Sequence, residues 1–332
     1  MAANPKLPMM SGSVQEQYHI YHADAYILNV ELEQPIKLAK QEYGRVALES
    51  RRESLITQSV GETNVEGLIS FKRGHTRVAG AHVKQKTDIF GQDHAGWVTL
   101  ATAALEGYNV EDIVTVDRVV AQLSTQHPMT NSNVPRVSFI GTRFENLRVG
   151  GYPVELELDL AICGPKPAND RHYLQDVEFL NSVHRQLDGM VESDDFPESM
   201  ERGYGAEIAY IDELKKQAKE DAIRGVPVGN GHPKLRFSLV KRIKPIPTPG
   251  VRTFGNRIFI PNFGTVALAE VEVGIKNEHS DFRRRNDDRS QTEPSDSNYF
   301  TLDMLKMHLG CPASGASGAG GVNANGQMGP PG

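Results

Sequence analysis

The sequence predicts a mostly β fold, an antiparallel β-sandwich or jelly-roll-like body, with an inserted pair of α-helices. Three observations carry that prediction. Val154, Leu156, Leu158 and Leu160 alternate with Glu155, Glu157 and Asp159, which puts apolar side chains on one strand face and carboxylates on the other. Similar β-rich runs recur at 113–123 and 235–240. Between them, residues 168–225 change to a spacing of three and four and then back to strand-like patterning. Residues 137–163 are the expected centre. Val137, Phe139 and Ile140 begin one strand, Phe144, Leu147 and Val149 carry the pattern on, and Gly150-Gly151 supplies a tight hairpin. Two strands cannot bury a face alone, so other strands must cover this pair.

The elements follow in order. Residues 1–18 are polar, contain Pro5 and Pro8, and read as an extended N-terminal arm. Residues 19–167 form the first part of the β body. In it, 25–33 is a strand with Tyr26, Leu28, Val30 and Leu32 on one face, ended by Pro35, which cannot donate to a ladder. Residues 43–60 fit a strand pair turned near 50–53 as well as a short helix. Leu68, Ile69, Ser70 and Phe71 read as a strand entering a glycine turn. Residues 80–96 read as a loop, 97–105 and 113–123 as strands, and 127–135 as a turn region.

Gly164-Pro165-Lys166-Pro167 then breaks the strand pattern. The helical insertion covers 168–228. Tyr173, Val177, Leu180, His184, Leu187 and Val191 mark its first helix, capped by Asn169 or Asp170. Ile208, Ile211, Lys215, Ala218 and Ala222 mark the second, which Gly225 and Pro227 end. Residues 229–311 are the second part of the β body: strands at 235–240, 257–260 and 265–275, a polar loop at 276–298, and an apolar-patterned element at 299–309. Residues 312–332 are mostly Gly, Ala, Ser, Asn and Pro. They read as a tail with too little apolar surface to fold alone.

Bulk properties narrow the function. The chain has 332 residues, 23% charged and 39% hydrophobic, an ordinary globular balance. A formal net charge of -6 argues against a dedicated nucleic-acid binder. No run approaches the roughly 18 apolar residues of a membrane span. The N-terminus has no apolar core of a secretory signal, and Ala2 stands where myristoylation needs glycine. Cys163 and Cys311 are too few for a disulfide framework. The expected location is the cytoplasm.

Several short motifs stand out: Gly74-His75-Thr76, Val78-Ala79-Gly80, Gly96-Trp97-Val98-Thr99-Leu100, Gly141-Thr142-Arg143-Phe144-Glu145-Asn146-Leu147 and Leu309-Gly310-Cys311-Pro312. Together they resemble a set found in an uncharacterised bacterial protein family. The similarity covers most of 67–163 and 254–318. It implies that the β parts form one unit, and it contributes no catalytic residues.

The best candidate for chemistry is the glycine-rich stretch 74–97. His75, His82 and His94 with Asp88 and Asp93 are of the types that bind zinc or another divalent ion. Their spacing matches no compact metal motif, so the expectation is a polar loop that does not jointly hold a metal. Glu145, Glu155, Glu157 and Asp159 are paired carboxylates of the kind glycoside hydrolysis needs, and read more simply as a solvated face. Asp117 and Arg118 suggest a local ion pair. Cys163 and Cys311 read as small buried thiols, because no positioned base accompanies either. Arg283-Arg284-Arg285 has acids on both sides and reads as a solvated loop. The sequence therefore predicts no catalytic residue, no cofactor and no metal. It predicts a non-catalytic structural protein that self-assembles as a homo-oligomer through its β body and terminal arms, without nucleic-acid or membrane partners. The alternative is a small-molecule enzyme or binding protein with its site at residues 75–94.

Overall fold

The computed structural model describes residues 19–34, 37–84, 95–129, 134–191, 198–224, 233–276, 297–310 and 314–328. Long strands form where the period of two persists. β1 (His19–Gln34) is followed by β2 (Leu38–Tyr43), β3 (Val46–Ser50) and β4 (Ser54–Val60). The hairpin of β5 (Thr63–Val65) and β6 (Ile69–Phe71) leads to β7 (Arg73–Val83), β8 (Gly96–Val110) and β9 (Val114–Pro128). Short strands come next: β10 (Arg136–Ser138), β11 (Arg143–Glu145), β12 (Arg148–Val149), β13 (Tyr152–Pro153) and β14 (Leu156–Leu158). Single 3-10 turns at Ala168–Asp170 and Tyr173–Gln175 precede α1 (Val177–Val191) and α2 (Glu198–Arg224). The chain then returns to β15 (Lys234–Ser238), β16 (Val240–Ile243), β17 (Arg252–Phe254) and β18 (Arg257–Ile260). It closes with β19 (Gly264–Lys276), β20 (Ser297–Leu309) and β21 (Ser314–Met328).

Among the described residues these strands make two large antiparallel sheets and one ribbon. The first sheet has nine strands in the order β17-β18-β19-β20-β21-β1-β2, with β15 beside β19 and β3 beside β1. The second has ten strands, in the order β13-β12-β9-β8-β6-β5, with β10 and β11 on β9, and β7 carrying β4 outward from β8. β14 and β16 form the ribbon. β1 and β21 pack against β8, and β21 also meets β9, so the sheets lie face to face as a sandwich. Ile27, Val78, Ala101, Leu105, Val119, Leu302 and Val322 are buried in the common core. Burying such side chains contributes about 1.5–3 kcal/mol for each large one.

The two helices are present, and the first is capped by Asp176 rather than by Asn169 or Asp170. Asp176 Oδ1 accepts from the N–H groups of Glu178 (2.8 Å) and Phe179 (3.3 Å). The stripe of Phe179, Leu180, Val183, Leu187 and Met190 is buried. Gln186 fastens α1 to β15: its Nε2 donates to the Ser238 carbonyl (2.8 Å), and Ser238 N–H donates to its Oε1 (2.9 Å). Among the described residues no helix is long and apolar enough to cross a membrane.

Three expectations change. Residues 314–328 are not a loose tail but β21, held between β20 and β1 along nearly its whole length. Backbone hydrogen bonds on both edges replace the apolar surface that its composition lacks. Its glycines also let neighbouring rings lie flat on it: a Cβ at Gly321 would overlap the Tyr26 ring. The 137–163 segment is not the centre of the fold. Of Val154, Leu156, Leu158 and Leu160 only Val154 is fully buried, and β14 pairs with β16 alone. The glycine turn expected after Phe71 is strand β7. Gly74 and Gly80 are there because Ile27 and Tyr21 of the facing sheet press on them, leaving no room for a Cβ.

Residues 43–60 take the strand reading, but β3 and β4 join different sheets, so the chain crosses the sandwich at 51–53. The arm at 1–18 and most of the polar loop, 277–296, lie outside the described residues.

Candidate functional site

Two polar clusters are built by this fold. The first lies on the outer face of the first sheet. There β1, β3, β20 and β21 surround an open groove of roughly 600 Å³ lined by His22, Asp24, Tyr26, Glu49, Asp303 and Asn323, among others. Strand order brings these residues together. Tyr26 and Asp303 both oppose Gly321, so the tyrosine reaches across the bare strand between them. Its hydroxyl donates to Asp303 Oδ1 at 2.5 Å. Lys306 Nζ lies 3.0 Å from Asp303 Oδ2 and 2.7 Å from Glu270 Oε1. Arg257 continues the row, 3.5 Å from Glu270 and donating to the Tyr204 hydroxyl at 2.8 Å. Across the groove Arg45 holds Asp24 (2.9 Å) and Glu42 (2.7 Å).

The electrostatics follow from that row. Burial alone would raise the Glu270 carboxyl, but the Lys306 bond and the nearby arginines outweigh it and hold it below the usual range. Burial, then the Asp303 charge and hydrogen bond, push the Tyr26 hydroxyl up. Asp24, Asp303, Glu270, Lys306, Arg257 and Arg45 are thus each engaged with an opposite charge, an arrangement that fixes strands more readily than it activates a base.

The second cluster sits where β1 begins. His82 stacks on Trp97 (centroids 5.3 Å apart, planes 18°), and Trp97 stacks on His19 (5.5 Å, 14°). Tyr21 meets His19 edge-on at 4.9 Å, and His127 lies 4.8 Å from it. His19 is 2% exposed. Neither of its ring nitrogens has a hydrogen-bond partner among the described residues. Burial, reinforced by His127, His22 and His82, pushes its pKa down to about 2. His19 is therefore a neutral ring used for packing. A Cβ at Gly326 would overlap it, which accounts for glycine there.

The sequence candidates are dispersed. His75 is exposed on the outer face of β7, with Nδ1 3.1 Å from Ser59 Oγ. His82 lies seven positions on and faces the other side, roughly 20 Å along the strand at the usual rise per residue. His94, Asp88 and Asp93 lie outside the described residues. Among the described residues no group of three or more His, Cys, Asp or Glu is placed to hold a metal.

Glu145 pairs with Arg143 (2.7 Å), Glu155 with Lys244 (2.5 Å) and Glu157 with Lys241 (2.7 Å). Those lysines hold Glu155 and Glu157 below the usual carboxylate range. Asp117 accepts from Asn146 Nδ2 (2.6 Å), whereas Arg118 lies 3.8 Å from Glu106, so Asp117 and Arg118 find separate partners. Burial, then Asp159, push the Cys163 thiol up and away from reactivity. Cys311 lies outside the described residues.

The motif residues do structural work. Thr76 Oγ1 donates to the Gly44 carbonyl (2.8 Å). Thr142 Oγ1 donates to the Gln122 carbonyl (2.9 Å) and accepts from the Gln122 N–H (3.0 Å), fastening the start of the 141–147 motif to β9. Asn146 turns the chain at φ 52° and reaches Asp117.

The fold is an antiparallel β-sandwich with an inserted helical hairpin. The chain belongs to the family described as Domain of unknown function (DUF8256), whose model matches residues 19–274. The match ends inside β19, so β20 and β21 lie beyond it although they sit between β19 and β1. No curated protein and no solved structure matches the chain.

Proposed function

We propose that the protein is a non-catalytic structural protein of the cytoplasm that self-assembles through its β body. The observation that carries this reading is β4, an edge strand with the sequence SLITQSV. It is neutral and free of proline, and residues 55–59 are all exposed. An edge strand offers a row of unpaired N–H and C=O groups, and natural proteins guard such rows with charge, proline or brevity. Other margins carry those guards: β2 has Lys40 and Glu42, β17 has Arg252, β13 has Pro153, and β5 is three residues long. β4 alone among these five is left open. The net charge of -6 favours neither nucleic acid nor an anionic lipid surface as partner. Sedimentation velocity across a concentration series tests the proposal. A species heavier than one chain that grows with concentration is expected. One chain mass throughout overturns it. A second reading, a small-molecule binding protein, draws on the groove beside Tyr26, but there Asp24 and Asp303 already hold Arg45, Tyr26 and Lys306.

A further inference from the structure

We infer that two copies of the chain pair antiparallel through β4, about a two-fold axis at Thr57; this rests on the self-assembly reading and gives it a partner and a register. Pairing with β7 fixes the faces of β4. Ser54, Ile56, Gln58 and Val60 oppose Gly80, Val78, Thr76 and Gly74, all buried, so they point inward. Leu55, Thr57 and Ser59 oppose Ala79, Arg77 and His75 and point outward. A second copy that continues the sheet must keep inner faces inward, so the axis stands perpendicular to the sheet, and opposed residues come from the same face.

Centring that axis on Thr57 pairs all seven residues of β4. Ser54 then opposes Val60 of the partner subunit, Leu55 opposes Ser59 of the partner subunit, and Ile56 opposes Gln58 of the partner subunit. Thr57 opposes itself, a favourable cross-strand pair. Leu55 and Ile56, 59% and 39% exposed in the single chain, are covered. Just beyond the strand, exposed Arg52 and exposed Glu62 of the partner subunit lie at the same end of the paired strands, and the symmetry sets this opposite-charge pair twice. A slip of one pleat either way leaves two residues of each β4 unpaired and takes Arg52 off Glu62. The arrangement is isologous, so it closes at two copies rather than growing into a fibre. The two ten-stranded sheets then run on as one. A single strand pair is a small interface, so dimers should form in a concentration-dependent way.

The test combines cysteine placement with charge exchange on the full chain. Thr57→Cys puts two Cβ atoms opposite each other at the axis, within disulfide reach. Mild oxidation should give a covalent dimer, while Leu55→Cys, whose self-distance across the axis is several residues, should give none above the background of the native chain. Arg52→Glu sets like charges opposite each other at both ends and should raise the dissociation constant about tenfold at low salt, and adding Glu62→Arg should restore it. All these positions are exposed, so circular dichroism should be unchanged. Native chains that dimerise, with no Thr57 cross-link and no response to Arg52→Glu, would overturn the β4 register while leaving self-assembly standing. Chains of single mass at every concentration would overturn both.

Discussion

Truncating the chain after Gly310 removes β21 and should abolish folding. The magnitude can be worked from the register. Fourteen residues of β1 and nine of β20 oppose β21. An antiparallel ladder carries about one hydrogen bond per opposed pair. At a net ~1 kcal/mol each, the lost bonds amount to roughly 20 kcal/mol, against the ~5–15 kcal/mol by which a whole domain is stable. Buried Ala319, Val322 and Ala324 go with them, and the ring of Tyr26 loses the strand it lies on. β1 and β20 cannot simply close the gap, because each already pairs on its other edge with β3 or β2 and with β19. Far-UV circular dichroism and a thermal melt of the 1–310 chain beside the full chain are the assay. The truncated chain should be insoluble or show no cooperative transition. A soluble 1–310 chain with the strand signal and midpoint of the full one would refute the reasoning.

Other outcomes follow from single residues. Gly321→Ala forces the Tyr26 ring off β21 and breaks its bond to Asp303, and should cost about 1–3 kcal/mol, seen as a lowered midpoint. Leu158→Asp should cost about 1–3 kcal/mol, because Leu158 is only partly buried in the β14–β16 ribbon, whereas Leu302→Asp in the core should prevent folding; denaturant titration separates the two. His19 takes up a proton in the unfolded chain below about 6.5 but resists it in the fold down to about 2. Stability should therefore fall as pH drops through that window, by about 1.4 kcal/mol per pH unit for this group once well below 6.5. His19→Phe should make the acid slope shallower, and an unchanged slope in urea melts between pH 6 and 4 would contradict that role.

Local pattern made the β class and the helix pair legible, because alternation and three-four spacing are properties of short windows. What it could not reveal was pairing across distance. The bond from Tyr26 to Asp303 spans 277 residues, and no local signal marks either partner. The alternation places Tyr26 on the face of Leu28, Val30 and Leu32, yet it points outward. The buried face of β1 runs through Tyr21, Ala23, Ala25 and Ile27 and then shifts to Leu28, Val30 and Leu32. The same shift crosses neighbouring strands, where the ladder skips Ala269, Met304 and Gly320. Ala269 and Gly320 have φ of 47° and 65°, a left-handed step that resets the alternation. β21 leaves no mark in the sequence for a related reason. Composition measures what a segment can bury alone, whereas this strand is stabilised by two neighbours that bring the large side chains. His75 and His82 looked like one site because they are close in sequence, but a strand separates residues of odd spacing onto opposite faces. The β4 edge was readable as a neutral run, but only the sheet order shows that nothing pairs with its outer side among the described residues.

Hydrogen exchange read by mass spectrometry, at low and high protein concentration, tests most directly the claim that copies meet at the open edge. Backbone N–H groups of β21 are bonded within one chain, so peptides covering 314–328 should be protected equally at both concentrations. Peptides covering 54–60 should exchange fast when dilute and slow markedly when concentrated, as the outer N–H groups of β4 find a partner. Exchange at 54–60 that does not change with concentration, while the chain as a whole gains mass, would contradict the account.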